Sequence, residues 1–127
     1  MPKVSSSKDA ENIFRSIWSH RLGYVEEFFV LLLNRSNKVI GWSKVSMGGQ
    51  NGTVADPKVI FQTALKANAC HLILGHNHPS GNIEPSQADI SLTQKMRESG
   101  NFLDLPVLDH LILSTEDYYS FADDNKL

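Results

Sequence analysis

The chain has one cysteine, Cys70, in 127 residues, so an internal disulfide is excluded and the fold must hold together by packing. A lone thiol of this kind fits a reducing cytoplasm. No apolar run approaches the roughly 20 residues needed to cross a bilayer. The longest, Phe28 to Leu33, is the size of a strand, so no membrane partner is expected. The N-terminus, Met1-Pro2-Lys3-Val4-Ser5-Ser6-Ser7, lacks the apolar stretch of a signal peptide. There is no internal repeat or low-complexity tract. Basic excess is missing too: 12 Lys and Arg stand against 14 Asp and Glu, giving a formal net charge of −2. Non-specific nucleic-acid affinity draws mostly on phosphate neutralisation, and scattered basic residues do not supply a stripe for it.

What remains is an ordinary globular composition, 41% hydrophobic and 20% charged, in a chain long enough for one self-sufficient core. After a short polar arm (residues 1–7, expected to be flexible) a single domain over residues 8–127 is expected. Ala10, Ile13, Phe14, Ile17 and Trp18 fall on one helical face, with Ser6 and Asp9 as a capping start. Glu26 to Leu33 is apolar on both faces, as in a strand covered on two sides. Asn34 to Asn37 turns the chain, and Lys38 to Val45 returns as a hairpin partner. Gly48 to Gly52 reads as a flexible loop. Asp56 and Pro57 open a second helix, whose expected buried face is Pro57, Ile60, Phe61, Ala64 and Leu65. Leu72 to Leu74 is a short buried strand ending at Gly75-His76-Asn77-His78-Pro79. A third helix follows Pro85-Ser86 and runs to about Gly100 as C-cap. Val107 to Leu113 and Tyr118 to Phe121 complete the strands, and alternating strands and helices predict an α/β sheet with helices on its faces.

The chemistry concentrates between Gly75 and Asp89. In extended backbone His76 and His78 project to the same side, two nitrogen donors from one strand end. Pro79 and Gly81 turn the chain, so the next helix can bring Asp89 back over them. Two imidazoles and a carboxylate leave a tetrahedral zinc one position for water, the mark of a catalytic site. Such zinc lowers the pKa of water to about 7, and a further carboxylate must then handle its proton. Plainer readings exist for each residue. The histidine pair can be a polar strand end, and Asp89 can be the N3 residue of a capping box with Ser86. His20 and His71 have no partner pattern and read as structural or surface residues. Cys70 reads as core filler rather than nucleophile. Ser80 sits in turn chemistry, with no Gly-x-Ser-x-Gly elbow around it.

His76-x-His78, seven residues, Ser86, two residues and Asp89 matches the JAMM pattern. The longer string His76-Asn77-His78-Pro79-Ser80-Gly81 followed by Pro85-Ser86-Gln87-Ala88-Asp89 resembles the RadC family of bacterial JAMM/MPN-like domains. Ala64 to Ala69, Val107 to His110 and Tyr119 to Ala122 agree with it, and the resemblance runs from about Ser7 to Asp123. It implies a three-layer α/β MPN fold with a mixed sheet flanked by helices, related in architecture to the cytidine deaminases. It also implies one Zn2+ per chain on His76, His78 and Asp89, with Ser86 assisting at a developing oxyanion. The general acid/base is then the glutamate that opens the first long strand. The pattern offers both Glu26 and Glu27, because the strand is apolar on both faces; alignment with the family's strand selects Glu26. His110 suits a residue behind the ligands and equally a satisfied core histidine. Many family members carry a DNA-associated helix-hairpin-helix segment, and none is recognisable here.

Three functions follow from the resemblance. The first is a zinc metallopeptidase or isopeptidase with a peptide or isopeptide substrate. The second is a nucleic-acid-processing or binding protein linked to DNA repair, against which the charge counts. The third is a non-catalytic interaction module stabilised by its metal. A deaminase would need a Pro-Cys-x-x-Cys ligand pair, which one cysteine cannot provide.

Overall fold

The computed structural model describes residues 1–18, 22–47 and 55–127. His20 and the expected loop at 48–52 lie outside the described residues. The elements in chain order are α1 (Ser7–Trp18), β1 (Glu27–Leu33), β2 (Val39–Met47), α2 (Pro57–Lys66), β3 (His71–Asn77), α3 (Gln87–Phe102), β4 (Val107–Leu113) and β5 (Tyr118–Ser120). The strands form one five-stranded mixed sheet in the order β2-β1-β3-β4-β5. Among the described strands only β3 and β4 run parallel, the direction expected when α3 carries the chain between them. This is an α/β fold of three layers, in keeping with the MPN expectation.

The two-faced apolarity of β1 decides the layering. Phe29, Leu31 and Leu33 pack with Phe14 and Trp18 of α1 on one side. Phe28, Val30 and Leu32 pack with Ile60, Phe61 and Ala64 of α2 and Met96 of α3 on the other. On β3, Ile73 belongs to the α1 layer and Leu72 and Leu74 to the α2/α3 layer. Gly75 lies where α1 comes closest: a Cβ there would stand 2.6 Å from the Phe14 ring. Residues ahead of α1 lie along the hairpin turn, where Val4 N–H donates to the Asn37 carbonyl and Val39 N–H to that of Pro2.

Of the boundaries that differ from the sequence expectation, the ends of β3 and α3 differ for a physical reason. β3 continues past its apolar residues to Asn77, because β1 and β4 pair with it on both sides: His76 stands opposite Phe28 and Ile112. Gly100 is not the C-cap of α3. The helix runs to Phe102 with Leu103 as cap, and Asp104 takes the left-handed position at φ 58°. The N–H groups of Leu105 and Asp104 close back onto the carbonyls of Gly100 and Asn101, a Schellman ending. Gly100 is small for another reason: a Cβ would meet the Leu105 carbonyl at 2.5 Å.

Candidate metal centre

The site forms where β3 ends beside the start of β1 and the first turn of α3. On the α2/α3 face, His76 alternates with Leu72 and Leu74. Its ring stacks on Phe28, with centroids 5.6 Å apart and 9° between planes. His78 follows on the same side, its backbone N–H donating to the Leu113 carbonyl. Its Nδ1 donates to the Asn82 carbonyl at 2.7 Å. A neutral His78 ring therefore aims its bare Nε2 into the cluster. The turn between His78 and Gly81, with Gly81 at φ 94°, sends the chain back toward α3.

Ser86 caps α3. Its Oγ accepts the Asp89 N–H at 3.1 Å, and the Asp89 carboxylate accepts the Ser86 N–H at 2.8 Å. The capping box is real, and it does not compete with a role in the cluster. Asp89 Oδ2, held by Ser86, is also 3.2 Å from His78 Nε2, and Oδ1 is 3.1 Å from His76 Nε2. The two Nε2 atoms are 3.0 Å apart. Glu26, His76 and His78 form a group able to hold a metal ion, with one ligand atom from each within 4.8 Å of the others. Four side chains expected from the sequence thus converge. Glu27 lies elsewhere: it is buried on the opposite face of β1 and ion-paired with Lys44 at 3.1 Å.

Electrostatics describe a cluster that wants a cation. Burial would raise the Asp89 carboxyl, but hydrogen bonds to His76 and His78 override it and hold it well below the carboxylate range. The Asp89 hydrogen bond pushes the His78 imidazole above its ordinary value, against the opposing effect of burial. A carboxylate and two imidazole nitrogens at such distances need positive charge among them, from protons or from a metal ion. The donor set suits zinc, whose tetrahedral ligands stand roughly 3.3 Å apart for bonds of about 2.0–2.1 Å.

His110 lies behind His76, fully buried, with Nε2 at 2.9 Å from His76 Nδ1. Burial keeps its pKa well below the ordinary value. Its neighbour Asp109 accepts from the Ser120 hydroxyl at 2.6 Å and the Ala122 N–H at 3.0 Å, which fixes β5 against β4. Asn77 bonds to the Glu27 N–H and Thr93 to His110 Nδ1, and neither stands out in the sequence. The only signal for Asn77 was its place between the two histidines; Thr93 had none. Cys70 is half-buried at the entrance to β3, and His71 bonds to Asn37 at 2.6 Å. A groove of about 950 Å3 between α2 and the C-terminal end of α3 is lined by none of the cluster residues.

Comparison with known proteins agrees with the motif. The model of the RadC-like JAB domain matches residues 4–127. The chain belongs to this family. A UPF0758 protein of Flavobacterium johnsoniae is 47% identical over 126 residues, covering 98% of this chain and 53% of that protein. One from Porphyromonas gingivalis is 40% identical over 129 residues, covering 100% of this chain and 57% of that protein. One from Thermosynechococcus vestitus is 45% identical over 98 residues, 77% of this chain and 39% of that protein. The chain thus spans about half the length of these relatives or less. Among the described residues no helix of this RadC-like domain is long and apolar enough to cross a membrane.

Proposed function

We propose that this RadC-like domain is a zinc-dependent hydrolase of amide bonds, a metallopeptidase or isopeptidase. The observation that carries the reading is the convergence of His76 Nε2, His78 Nε2 and the Asp89 carboxylate within 3.0–3.2 Å of one another, with the Glu26 carboxylate beside them. In this reading His76, His78 and Asp89 hold one zinc. The zinc would supply Lewis acidity, making a water nucleophilic at neutral pH and polarising the carbonyl. Glu26 accepts the proton from the attacking water and delivers it to the leaving nitrogen. The Ser86 oxygen already accepts the Asp89 N–H, so its hydroxyl proton is left to donate to the carbonyl oxygen as negative charge builds there. Phe28, stacked on His76, keeps that side of the cluster apolar.

The net charge of −2 supports a peptide-like substrate over a polyanion. The test is cleavage of fluorogenic peptides and isopeptide-linked peptides by zinc-loaded protein, with Glu26→Gln alongside. The variant is expected to retain zinc and lose roughly 10²–10⁴ in rate, the usual contribution of a general acid/base. Equal rates in the two proteins would remove Glu26 from the mechanism. Absence of cleavage across both substrate types by the zinc-loaded wild type would overturn the hydrolase reading.

A further inference from the structure

A line of buried hydrogen bonds connects α3 to His76 from behind. The Thr93 hydroxyl lies 2.7 Å from the Asp89 backbone carbonyl and 2.6 Å from His110 Nδ1, and His110 Nε2 lies 2.9 Å from His76 Nδ1. Thr93, His110 and His76 are each at most 2% exposed. Counting protons fixes every direction along this line. A carbonyl oxygen has none to give, so Thr93 donates its single hydroxyl hydrogen to Asp89. The Thr93 oxygen can then only accept, which puts a proton on His110 Nδ1. His110 is enclosed by Phe28 and by Phe121, stacked at 4.9 Å, and a neutral ring there has only that one N–H. Its Nε2 is bare and accepts from His76 Nδ1–H. Where His76 is neutral, its Nε2 lone pair is left free for a metal, facing Asp89 Oδ1 and His78 Nε2.

We propose that Thr93 is a positioning residue that sets the tautomer of His76, through His110, and so makes His76 competent to bind metal. The inference rests on the reading of His76, His78 and Asp89 as a metal site. It adds that the site is self-registering, since the relay starts at the backbone of one ligand and ends on the ring of another. Without the hydroxyl, nothing holds the His110 proton on Nδ1. It moves to Nε2, His110 becomes the donor, and the His76 proton is driven to Nε2, where it occupies the lone pair a metal needs. Outer partners of metal-bound histidines act on affinity in this way.

The experiment compares the full chain with Thr93→Val and Thr93→Ser. Zinc affinity is measured by competition with a chromophoric chelator, and ring 15N shifts of the metal-free proteins report the tautomers. Thr93→Val is expected to weaken zinc binding about 10–100-fold, and Thr93→Ser to restore most of the loss. In metal-free wild type both His76 and His110 are expected to carry a proton on Nδ1, and in Thr93→Val the His76 Nδ1 should lose it and accept from His110 Nε2. Unchanged zinc affinity in Thr93→Val overturns the proposal, as does a wild-type His110 protonated on Nε2. That second readout stands even where Thr93→Val fails to fold. Wild type that binds no zinc would sink the metal reading, while its 15N shifts would still decide the relay.

Discussion

Asn77 stands between the two histidines in sequence, and its side chain does a different job from theirs. Its Oδ1 accepts the Glu27 N–H at 2.7 Å, and its Nδ2 donates to the Leu22 and Val25 carbonyls at 2.8 Å each. The amide thus grips the backbone on both sides of Glu26 and ties it to the strand that carries His76. All of Asn77 is buried, so Asn77→Ala would orphan a buried N–H and two carbonyls. The expected cost is about 2–4 kcal/mol in denaturant melts, since an unsatisfied buried group costs about 1–3 kcal/mol. A loss well below that range would show that solvent can replace the clamp. At this scale the sequence was only partly legible. His76, His78, Ser86 and Asp89 stand out because strand period and motif spacing are local properties. Asn77 and Thr93 do not, because each works through partners 17 to 55 positions away that only the folded sheet brings near. Pattern could not separate Glu26 from Glu27, since both faces of β1 are apolar; in the fold one faces the histidines and the other faces Lys44.

Among the elements, α1 is held to the sheet by more than its apolar stripe. Arg15 donates to the Ser114 and Asp117 carbonyls of the β4–β5 turn at 2.9 and 3.1 Å, and its Nε donates to Glu11 at 2.7 Å. Lys8 completes the group from the other side of Glu11, also at 2.7 Å. Burial pushes the Glu11 carboxyl up, but the hydrogen bonds and charges of Lys8 and Arg15 outweigh it and leave the pKa lowered. A carboxyl lowered on folding contributes stability above its unfolded value near 4.5 and loses it as pH falls through the folded value. Glu11→Gln should therefore cost about 1.5–3 kcal/mol at pH 7, as for hydrogen bonds to a charged group, and the gap to wild type should close as pH falls through the lowered carboxyl value. Thermal melts across pH check this, and a gap independent of pH would contradict it. The helical stripe of α1, the Asp56-Pro57 start of α2 and the span of β4 were readable because each follows a local rule. The ends of β3 and α3 were not: pairing with neighbouring strands extends one, and the other closes after Leu103 where Asp104 and Leu105 bond back to it.

For the molecule as a whole, the cluster draws Glu26 from before β1, His76 and His78 from the end of β3, and Asp89 from the first turn of α3. These segments meet only when the sheet and α3 have come together, so metal binding and global folding should be linked. Zinc at about 100 times its dissociation constant would add about 2.7 kcal/mol to stability. For a domain of this size that raises the melting temperature on the order of 10 °C. The layered α/β architecture was legible from the alternation of strands and helices, and the meeting of His76, His78 and Asp89 from a motif within it.

The most direct test of the central claim is the zinc content of purified protein by elemental mass spectrometry, wild type beside His78→Ala. The account predicts about one zinc per chain in the wild type, with most of it lost in the variant. A wild type that takes up no zinc, or a variant that holds as much as the wild type, would contradict it.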